Sequence, residues 1–253
     1  MVLTQGFPNH IIYLYGSYII LSKALEGKQK QMDYEAIAGQ VGPRTGATQE
    51  WVFRVLRQGI VSGALPGGTQ LKQDEISSAL SVSHIPVREA LRQLEAQGLV
   101  RIHPNRGASV TKLSRSTILD MMEVRATLSV MLLKNSIPLL TDADYAALDE
   151  VIAAQKQETD LFRTEELNYR FHNILSRHAD NAIAELFMEM IHANIDRYLR
   201  TNFYAGASRR ERSIGEHERI VEACRAGNRE LACDLLRDHI LNAKEYIPKD
   251  LEP

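Results

Sequence analysis

The stretch QLKQDEISSALSVSHIPVREALRQLEAQGLVRIHPNRGASV (Gln70–Val110) decides the fold of the first half of this 253-residue chain. Its first part predicts a helix at Gln73–Leu80. A second helix begins after Ser83, because serine is a favourable N-cap residue. Apolar residues recur within Val87–Leu94 at i, i+3, i+4 and i+7, which is the pattern of a helix with one buried face. Gly98 then supplies the residue type that commonly ends a helix.

The residues on either side extend this pair of helices into a complete module. Trp51–Gly63 shows helical spacing of its apolar residues, and two short β-type runs, Leu99–Ile102 and Ala108–Thr111, flank the turn His103–Gly107. Three helices followed by a small hairpin within about sixty residues are typical of a winged helix-turn-helix.

The second half of the sequence predicts only helices. From Ser116 onward the apolar residues keep a helical period with no strand pattern. The predicted breaks are Pro138–Asp142, His178–Asn181, Tyr204–Ser208 and Gly227–Asn228. The fold class is therefore mainly α, with an N-terminal winged helix-turn-helix and a C-terminal all-α bundle of about six helices.

These patterns divide the chain into three parts. Residues 49–113 are assigned to the winged helix-turn-helix and residues 114–253 to the helical domain. Residues 1–48 are assigned to an N-terminal extension in which Met32, after a polar GKQKQ stretch, is an alternative start of the protein.

Composition and charge narrow the function classes. With 44% apolar and 25% charged residues the chain is neither wholly disordered nor collagen-like. The formal net charge is only −2, but it is unevenly spread. Residues 50–112 hold eight basic and five acidic side chains, a net +3, whereas residues 113–253 hold 18 basic and 24 acidic ones, a net −6. A basic module joined to an acidic one indicates two domains with different partners.

Two further features bear on the cell compartment. Cys224 and Cys233 form neither a CxxC pair nor a disulfide framework, and free thiols that serve as small core residues suit a reducing cytoplasm. The apolar run Ile11–Leu21 is shorter than the roughly 20 residues that span a bilayer, and no Lys or Arg precedes it. A cytoplasmic protein with no membrane partner is therefore expected.

The helix after Ser83 carries basic side chains opposite its apolar stripe. His84, Arg88 and Arg92 recur at i, i+4 and i+8, and Arg106 and His103 lie in the predicted wing. Arginine can bind guanine bidentately from a helix in the major groove, so these residues are candidates for reading double-stranded DNA. The alternative for any one of them is a merely solvated arginine on an exposed face.

The motifs PVREAL (Pro86–Leu91), LEAQGLV and the wing NRG resemble the DNA-binding domain of the GntR superfamily of bacterial transcription regulators. The resemblance implies DNA-contacting roles for Ser83, His84, Arg88, Arg92, Arg106 and Gly107. His84 departs from the family pattern, which usually has arginine there. Because histidine is shorter and mostly neutral near pH 7, one base contact is expected to be weaker or different.

Histidines in the helical half predict a metal site only weakly when they are taken by themselves. Asn168 and His172 share one helix face at i, i+4, and His217 and His239 lie on separate predicted helices. Three imidazoles and one amide oxygen could surround a divalent ion in a bundle core. Scattered surface or core histidines would give the same sequence, so the residues alone leave both interpretations open.

The segments RFHNIL, EHERIVEACRAGN and LLRDHI resemble the FCD effector domain of the FadR-like GntR branch. The resemblance implies that Asn168, His172, His217 and His239 hold a divalent transition metal ion, with zinc as the first candidate and nickel or manganese as alternatives. Asn168 replaces the more frequent aspartate, which leaves such a site one charge more positive. Arg125 would bind an effector carboxylate; an ion pair with Glu123 or with a residue of a neighbouring helix is the alternative.

Together these observations predict a metabolite-responsive transcription regulator that binds operator DNA as a homodimer. The resemblance favours a repressor that a small carboxylate effector releases from DNA. A metalloenzyme is the second hypothesis, since a three-histidine site with open positions resembles catalytic zinc, but no carboxylate base is identifiable beside it. A purely architectural DNA-binding protein is the third, and the −6 helical half argues against it.

Overall fold

The structure is a computed structural model that describes residues 32–104, 106–202, 207–249 and 251. The apolar run Ile11–Leu21 and the greater part of the predicted break at Tyr204–Ser208 lie outside the described residues. No helix in the described part of the chain is long and apolar enough to cross a membrane.

The N-terminal module has the predicted winged helix-turn-helix order. Its elements are α1 (Tyr34–Val41), α2 (Thr48–Val61), β1 (Gln70–Leu71), α3 (Gln73–Ala79), α4 (His84–Ala96), β2 (Val100–His103) and β3 (Gly107–Val110). Helix α4 buries the predicted stripe of Val87, Ala90, Leu91 and Leu94 and packs it against α2. The basic face of α4 is thereby left toward solvent.

Two elements of this module carry no clear sequence signal. Helix α1 has only eight residues and buries Tyr34 and Ile37 against α2. Strand β1 has only two residues, too few to show a period, yet it completes an antiparallel sheet of order β1-β3-β2. The wing therefore has three strands where the sequence predicts two.

Gly107 fixes the geometry of the wing. Its φ of +79° is a conformation that L side chains rarely adopt. A Cβ atom at this position would lie 2.7 Å from the backbone carbonyl oxygen of Leu71 in β1. Glycine is thus required both by the backbone conformation and by the close approach of β1.

Six α-helices build the described part of the C-terminal half, as predicted. They are α5 (Arg115–Ser136), α6 (Asp142–Gln157), α7 (Leu161–Ser176), α8 (Ala182–Asn202), α9 (Ala207–Arg225) and α10 (Arg229–Asn242). Helix α5 packs against α7, α8 and α10, and the shared core includes the fully buried Phe171, Leu133 and Ile220. Cys224 and Cys233 lie in the same core as free thiols, in agreement with their predicted role as small core residues.

Polar caps begin several of these helices. Asn181 accepts a hydrogen bond from the Ala184 backbone N–H at the start of α8. Thr141 and Asp144 form a reciprocal capping box at the start of α6. Ser83 is different: it occupies the N-cap position of α4, but its side chain makes no capping hydrogen bond. Its exposed hydroxyl is therefore not used by the helix.

Helix α8 joins the two halves of the described chain. The Asn194 amide group donates to the backbone carbonyl of Gln97, the C-cap residue of α4, at 3.0 Å. One turn further on, the Tyr198 hydroxyl accepts from the Leu113 backbone N–H at 2.9 Å. Asn194 is only 3% exposed, so the first contact is buried.

Candidate functional site

The exposed face of α4 displays the predicted DNA-contacting side chains together. Arg88 and Arg92 have 54% and 61% of their side-chain surface exposed, and His84 has 61%. Glu89 lies between the two arginines, 3.0 Å from the nearest nitrogen of Arg92 and 3.7 Å from that of Arg88. Arg88 is therefore the less tightly paired of the two.

The start of α4 and the wing carry the remaining predicted residues. Nδ1 of His84 lies 3.5 Å from a carboxylate oxygen of Asp74 on α3, a contact that is an ion pair only when the imidazole is protonated. Arg106 is exposed at the tip of the wing, while His103 bonds the Ser109 hydroxyl at 2.8 Å across the hairpin. The structure thus places Arg106 outward and uses His103 to brace the wing.

Three helices bring His172, His217 and His239 together inside the C-terminal domain. One ring nitrogen from each histidine lies within 4.8 Å of the others, and all three residues are buried. Nε2 of His217 is 3.2 Å from Nε2 of His239. Nε2 of His172 is buried and has no hydrogen-bond partner among the described residues. We call these residues the three-histidine group.

Neighbouring side chains fix the orientation of two of these rings. Oε2 of Glu216 lies 2.8 Å from Nδ1 of His239, and Oε1 of Gln155 lies 2.9 Å from Nδ1 of His217. A carboxylate can only accept, so His239 donates from Nδ1 and keeps a lone pair on Nε2. The same holds for His217 beside the amide oxygen, and its ring also stacks on Phe171 at 3.9 Å.

Burial favours the neutral form of His172 and His217. It is the largest influence that holds the pKa of His172 well below its usual range, followed by the neighbouring His239 and Arg125. Burial and then His239 lower the pKa of His217 in the same way. Neutral imidazole is the form that binds metal ions, and the Nε2 atoms of His217 and His239 lie only 3.2 Å apart. These donors fit a divalent metal ion that prefers nitrogen ligands.

A cavity of about 270 Å³ opens beside the three-histidine group. His172 is part of its wall, together with Tyr169 and Asn173 of α7 and with Arg177, which directly follows that helix. Further lining residues are Ser129, Leu132 and Leu133 of α5 and Glu185, Met188, Glu189 and His192 of α8. We call this space the α7–α8 cavity. Its mixed lining of apolar and polar groups suits a small polar molecule.

Asn168 and Arg125 lie near this centre but differ in their surroundings. Asn168 precedes His172 by one turn of α7 and borders a much smaller space beside His217, so its role as a fourth ligand stays a prediction. Arg125 is 6% exposed, and its Nε has no hydrogen-bond partner among the described residues. Glu123, the alternative partner for Arg125, forms its ion pair with Lys244 instead. Arg125 does not line the α7–α8 cavity itself.

Sequence reasoning missed Gln155 and Glu216. Gln155 has no local signal, because its contact with His217 spans 62 residues. Glu216 is adjacent to His217 in the EH pair, and that proximity could have suggested it. Neighbouring helical residues point about 100° apart, however, so Glu216 contacts His239 and not the adjacent His217.

Comparison with known proteins agrees with this architecture. Residues 48–110 match the family model "Bacterial regulatory proteins, gntR family", and residues 120–242 match the "FCD domain". The uncharacterised HTH-type transcriptional regulator BphR of Paraburkholderia xenovorans LB400 is 31% identical over 76% of this chain and 81% of its own length. The HTH-type transcriptional repressor RspR of Escherichia coli K12 is 27% identical over 82% of this chain and 92% of its own.

A solved structure shows the same fold. The structure titled E. coli McbR/YncC has a TM-score of 0.65 and 21% identity, and the match covers 78% of this chain and 95% of that one. The curated relatives are named as transcription regulators, so the enzyme hypothesis is set aside. The chain belongs to the GntR family of bacterial transcription regulators and carries a C-terminal FCD domain.

Proposed function

We propose that this protein is a repressor that a small organic acid, bound at a metal-containing pocket, releases from its operator. The observation that carries the proposal is the three-histidine group, which presents its inward nitrogens within 4.8 Å of one another beside the α7–α8 cavity. A metal ion held there would be reachable by a ligand in the cavity, because His172 belongs to both. FCD domains are often metal-binding.

The proposed metal is zinc, with nickel and manganese as alternatives. His172, His217 and His239 would hold it through their ring nitrogens, with Asn168 as the fourth ligand. Neutral imidazole nitrogens suit zinc and nickel, and manganese prefers more oxygen ligands than this group offers. When bound, the ion would supply a Lewis-acidic centre that attracts a carboxylate oxygen.

The proposed effector is a small carboxylate. A cavity of about 270 Å³ limits its size, and Tyr169, Asn173 and Ser129 offer hydroxyl and amide groups to the remainder of the molecule. Arg125 would add a second positive charge, since it is close enough to His172 to lower the pKa of that imidazole. A buried guanidinium suits bidentate binding of a carboxylate.

The DNA-binding surface would be the exposed face of α4 with the wing. Ser83, His84, Arg88 and Arg92 would enter the major groove, and Arg106 would reach the adjacent phosphates or groove while Gly107 keeps the wing in position. The side-chain hydroxyl of Ser83, which the helix does not use as a cap, would be available to DNA.

Helix α8 would transmit the response. Its residues Glu185, Met188, Glu189 and His192 line the α7–α8 cavity, and Asn194 contacts the C-cap of α4 only two residues after His192. A ligand that shifts α8 would therefore move the end of the DNA-reading helix. An effector changes DNA affinity only if it binds the DNA-competent and DNA-incompetent arrangements unequally, and such couplings are typically about 1–3 kcal/mol.

The proposed assembly is a homodimer. Ile183, Leu186 and Phe187 form an apolar face on the first half of α8, and 66%, 53% and 49% of their surfaces are exposed in the single chain. Neighbouring exposed apolar side chains of this size commonly mark an interface. A second copy of the chain is the partner we propose, because a two-fold operator needs two reading helices with a fixed spacing.

A thermal-shift screen of sugar acids, dicarboxylates and amino acids, each with zinc and with a chelator, tests the effector proposal. Binding at about 100 times Kd stabilises a protein by about 2.7 kcal/mol, which is a clear shift. We expect at least one acid to raise the melting temperature of the zinc-loaded protein but not that of the chelated protein. Equal shifts with and without metal would contradict the metal-bound effector.

A further inference from the structure

Two side chains that are not themselves metal ligands hydrogen-bond to histidines of the proposed metal site, and they differ in charge. Glu216 bonds His239 and carries a negative charge, whereas Gln155 bonds His217 and is neutral. We propose that Glu216 and Gln155 are positioning residues that set the metal affinity of the three-histidine group, with Glu216 also supplying the negative charge that Asn168 does not. This inference rests on the proposed metal site and goes beyond it, because neither residue is a ligand.

Glu216 is held in place by contacts from two helices. Its Oε1 accepts from the Asn242 amide at 3.2 Å and from Nε of Arg212 at 3.2 Å, while Oε2 accepts from His239. Asn242 follows His239 by three residues on α10, so both reach the carboxylate from the same helix face. Only 19% of the Glu216 side-chain surface is exposed. The carboxylate is thus fixed on the side of His239 away from the other two histidines.

This arrangement has two consequences for a bound cation. The bond from Nδ1 of His239 selects the tautomer that leaves Nε2 free, and it fixes the plane of the ring. The carboxylate would also place a negative charge on the far side of the His239 ring from a bound cation. With Asn168 as a neutral fourth ligand, Glu216 would contribute a negative charge next to one of the ligand histidines.

Gln155 orients the ring of His217 in the same way but carries no charge. Its amide is 3% exposed and meets His217 at 2.9 Å, and Phe171 stacks on the same ring. The pair of contacts allows His217 one tautomer and one plane. Removing the Gln155 amide is therefore expected to lower the metal affinity less than removing the Glu216 carboxylate, because the stacked phenyl ring of Phe171 still restrains the imidazole.

The experiment is a competition titration of purified full-length protein with zinc against a chromophoric chelator. Outer partners of metal-binding histidines typically account for 10- to 100-fold in affinity. We expect a loss in about that range for Glu216→Ala and a smaller loss for Gln155→Ala. Glu216→Gln, which keeps an acceptor but removes the charge, should fall between wild type and Glu216→Ala. Gln155→Glu, which keeps the acceptor and adds a charge, should bind zinc at least as tightly as wild type.

Matched controls separate positioning from a general loss of structure. Glu218→Ala removes the same charge two residues further along α9, where Glu218 pairs with Lys156 at 2.6 Å, and Gln157→Ala removes an exposed amide from α6. Both should bind zinc within about twofold of wild type. Cobalt gives a second readout: its visible absorption bands should shift in Glu216→Ala, because the His239 ring can turn, and should not shift in Glu218→Ala.

The outcomes are distinguishable. Glu216→Ala and Gln155→Ala binding zinc as tightly as wild type would overturn the positioning roles and leave the metal site standing. Equal losses in Glu216→Gln and Glu216→Ala would remove orientation from the Glu216 role and leave only charge, contrary to the proposal. Wild-type protein that binds neither zinc nor cobalt would overturn the metal site and this inference with it.

Discussion

Arg88 is the residue on which we expect direct recognition of an operator to depend most. Its side chain is 54% exposed on α4 and its Nε lies 3.7 Å from Glu89, whereas Arg92 is held more closely by the same carboxylate. An arginine that is weakly paired before binding gives up little interaction energy with its protein partner when its side chain turns to DNA. A bidentate contact with guanine is therefore more readily made by Arg88 than by Arg92.

We expect Arg88→Ala to reduce discrimination between operator and random DNA by about 1–3 kcal/mol, the usual value of one bidentate base contact. Fluorescence anisotropy on operator and scrambled duplexes at fixed salt measures this difference. Arg237→Ala on α10, where Arg237 is also about half exposed, is the control for loss of one positive charge. An equal loss of affinity for both duplexes would instead make Arg88 a phosphate contact.

Between elements, a buried carboxylate joins the start of α6 to the end of α7. Asp144 completes the capping box with Thr141 and accepts from Arg177 at 2.7 Å and from His178 at 2.9 Å. The Thr141 backbone N–H has the largest effect on the pKa of Asp144; burial opposes it, and the side chains of His178, Thr141 and Arg177 assist it. Together these contacts hold that pKa well below its usual range. Arg177 and the neighbouring Ser176 line the α7–α8 cavity, so this junction also shapes the cavity wall.

Asp144→Ala should lower the free energy of unfolding by about 1–3 kcal/mol at neutral pH, through loss of the cap and of charged hydrogen bonds. A carboxyl whose folded pKa is depressed stabilises above its unfolded pKa of about 3.9 and loses that stabilisation as the pH falls through the folded value. Urea unfolding of both proteins should therefore show a gap that is constant above about pH 5 and shrinks on acidification. Asp142→Ala, an exposed change in the same turn, is the control; a gap independent of pH would contradict the assignment.

Helix α8 is the other element with a consequence for function, since it contacts both the cavity and α4. Asn194→Ala removes the hydrogen bond to the Gln97 carbonyl without touching the cavity or the DNA-reading face. We expect ligand binding to persist while the ligand-induced change in operator affinity falls several-fold, because the coupling depends on this contact. Thermal shift and anisotropy on the same preparation measure the two properties. An unchanged response in Asn194→Ala would show that the signal does not pass through this contact.

The sequence predicts those elements whose apolar residues recur with a clear period, and it does not predict contacts between residues far apart in the chain. The stripe Val87–Leu94 and the break at His178–Asn181 are local patterns, and the structure has a helix at the first and a helix end and start around the second. Strand β1 is too short to show a period and exists because β3 pairs with it. The contacts of Gln155 with His217 and of Asn194 with Gln97 join residues 62 and 97 positions apart, and only the packing of the helices creates them.

For the whole molecule, the apolar face on α8 predicts the state of assembly. Phe187→Asp places a charge in the centre of that face and should convert the proposed dimer to a monomer, because burying an unpaired carboxylate is costly. Sedimentation equilibrium measures the mass. Leu231→Asp on α10, where Leu231 is 45% exposed, is the matched control and should remain dimeric. A Phe187→Asp protein of dimer mass would place the interface elsewhere.

The opposed charges of the two halves fit the two proposed roles. A net +3 on residues 50–112 suits a compact surface that binds DNA, and a net −6 on residues 113–253 disfavours DNA contact by the sensing half. The basic face of α4 and the three-histidine group lie in different halves, so the regulator works only if one influences the other through the chain.

The affinity of the zinc-loaded protein for its operator, measured with and without the acid that gives the largest thermal shift, tests this account most directly. Wild type should bind operator about 5- to 150-fold more weakly with the acid, the range expected for a coupling of about 1–3 kcal/mol. His239→Ala, which removes one proposed ligand of the metal, should bind operator as wild type does but lose the response to the acid. An identical response in wild type and His239→Ala would contradict the metal-dependent sensor.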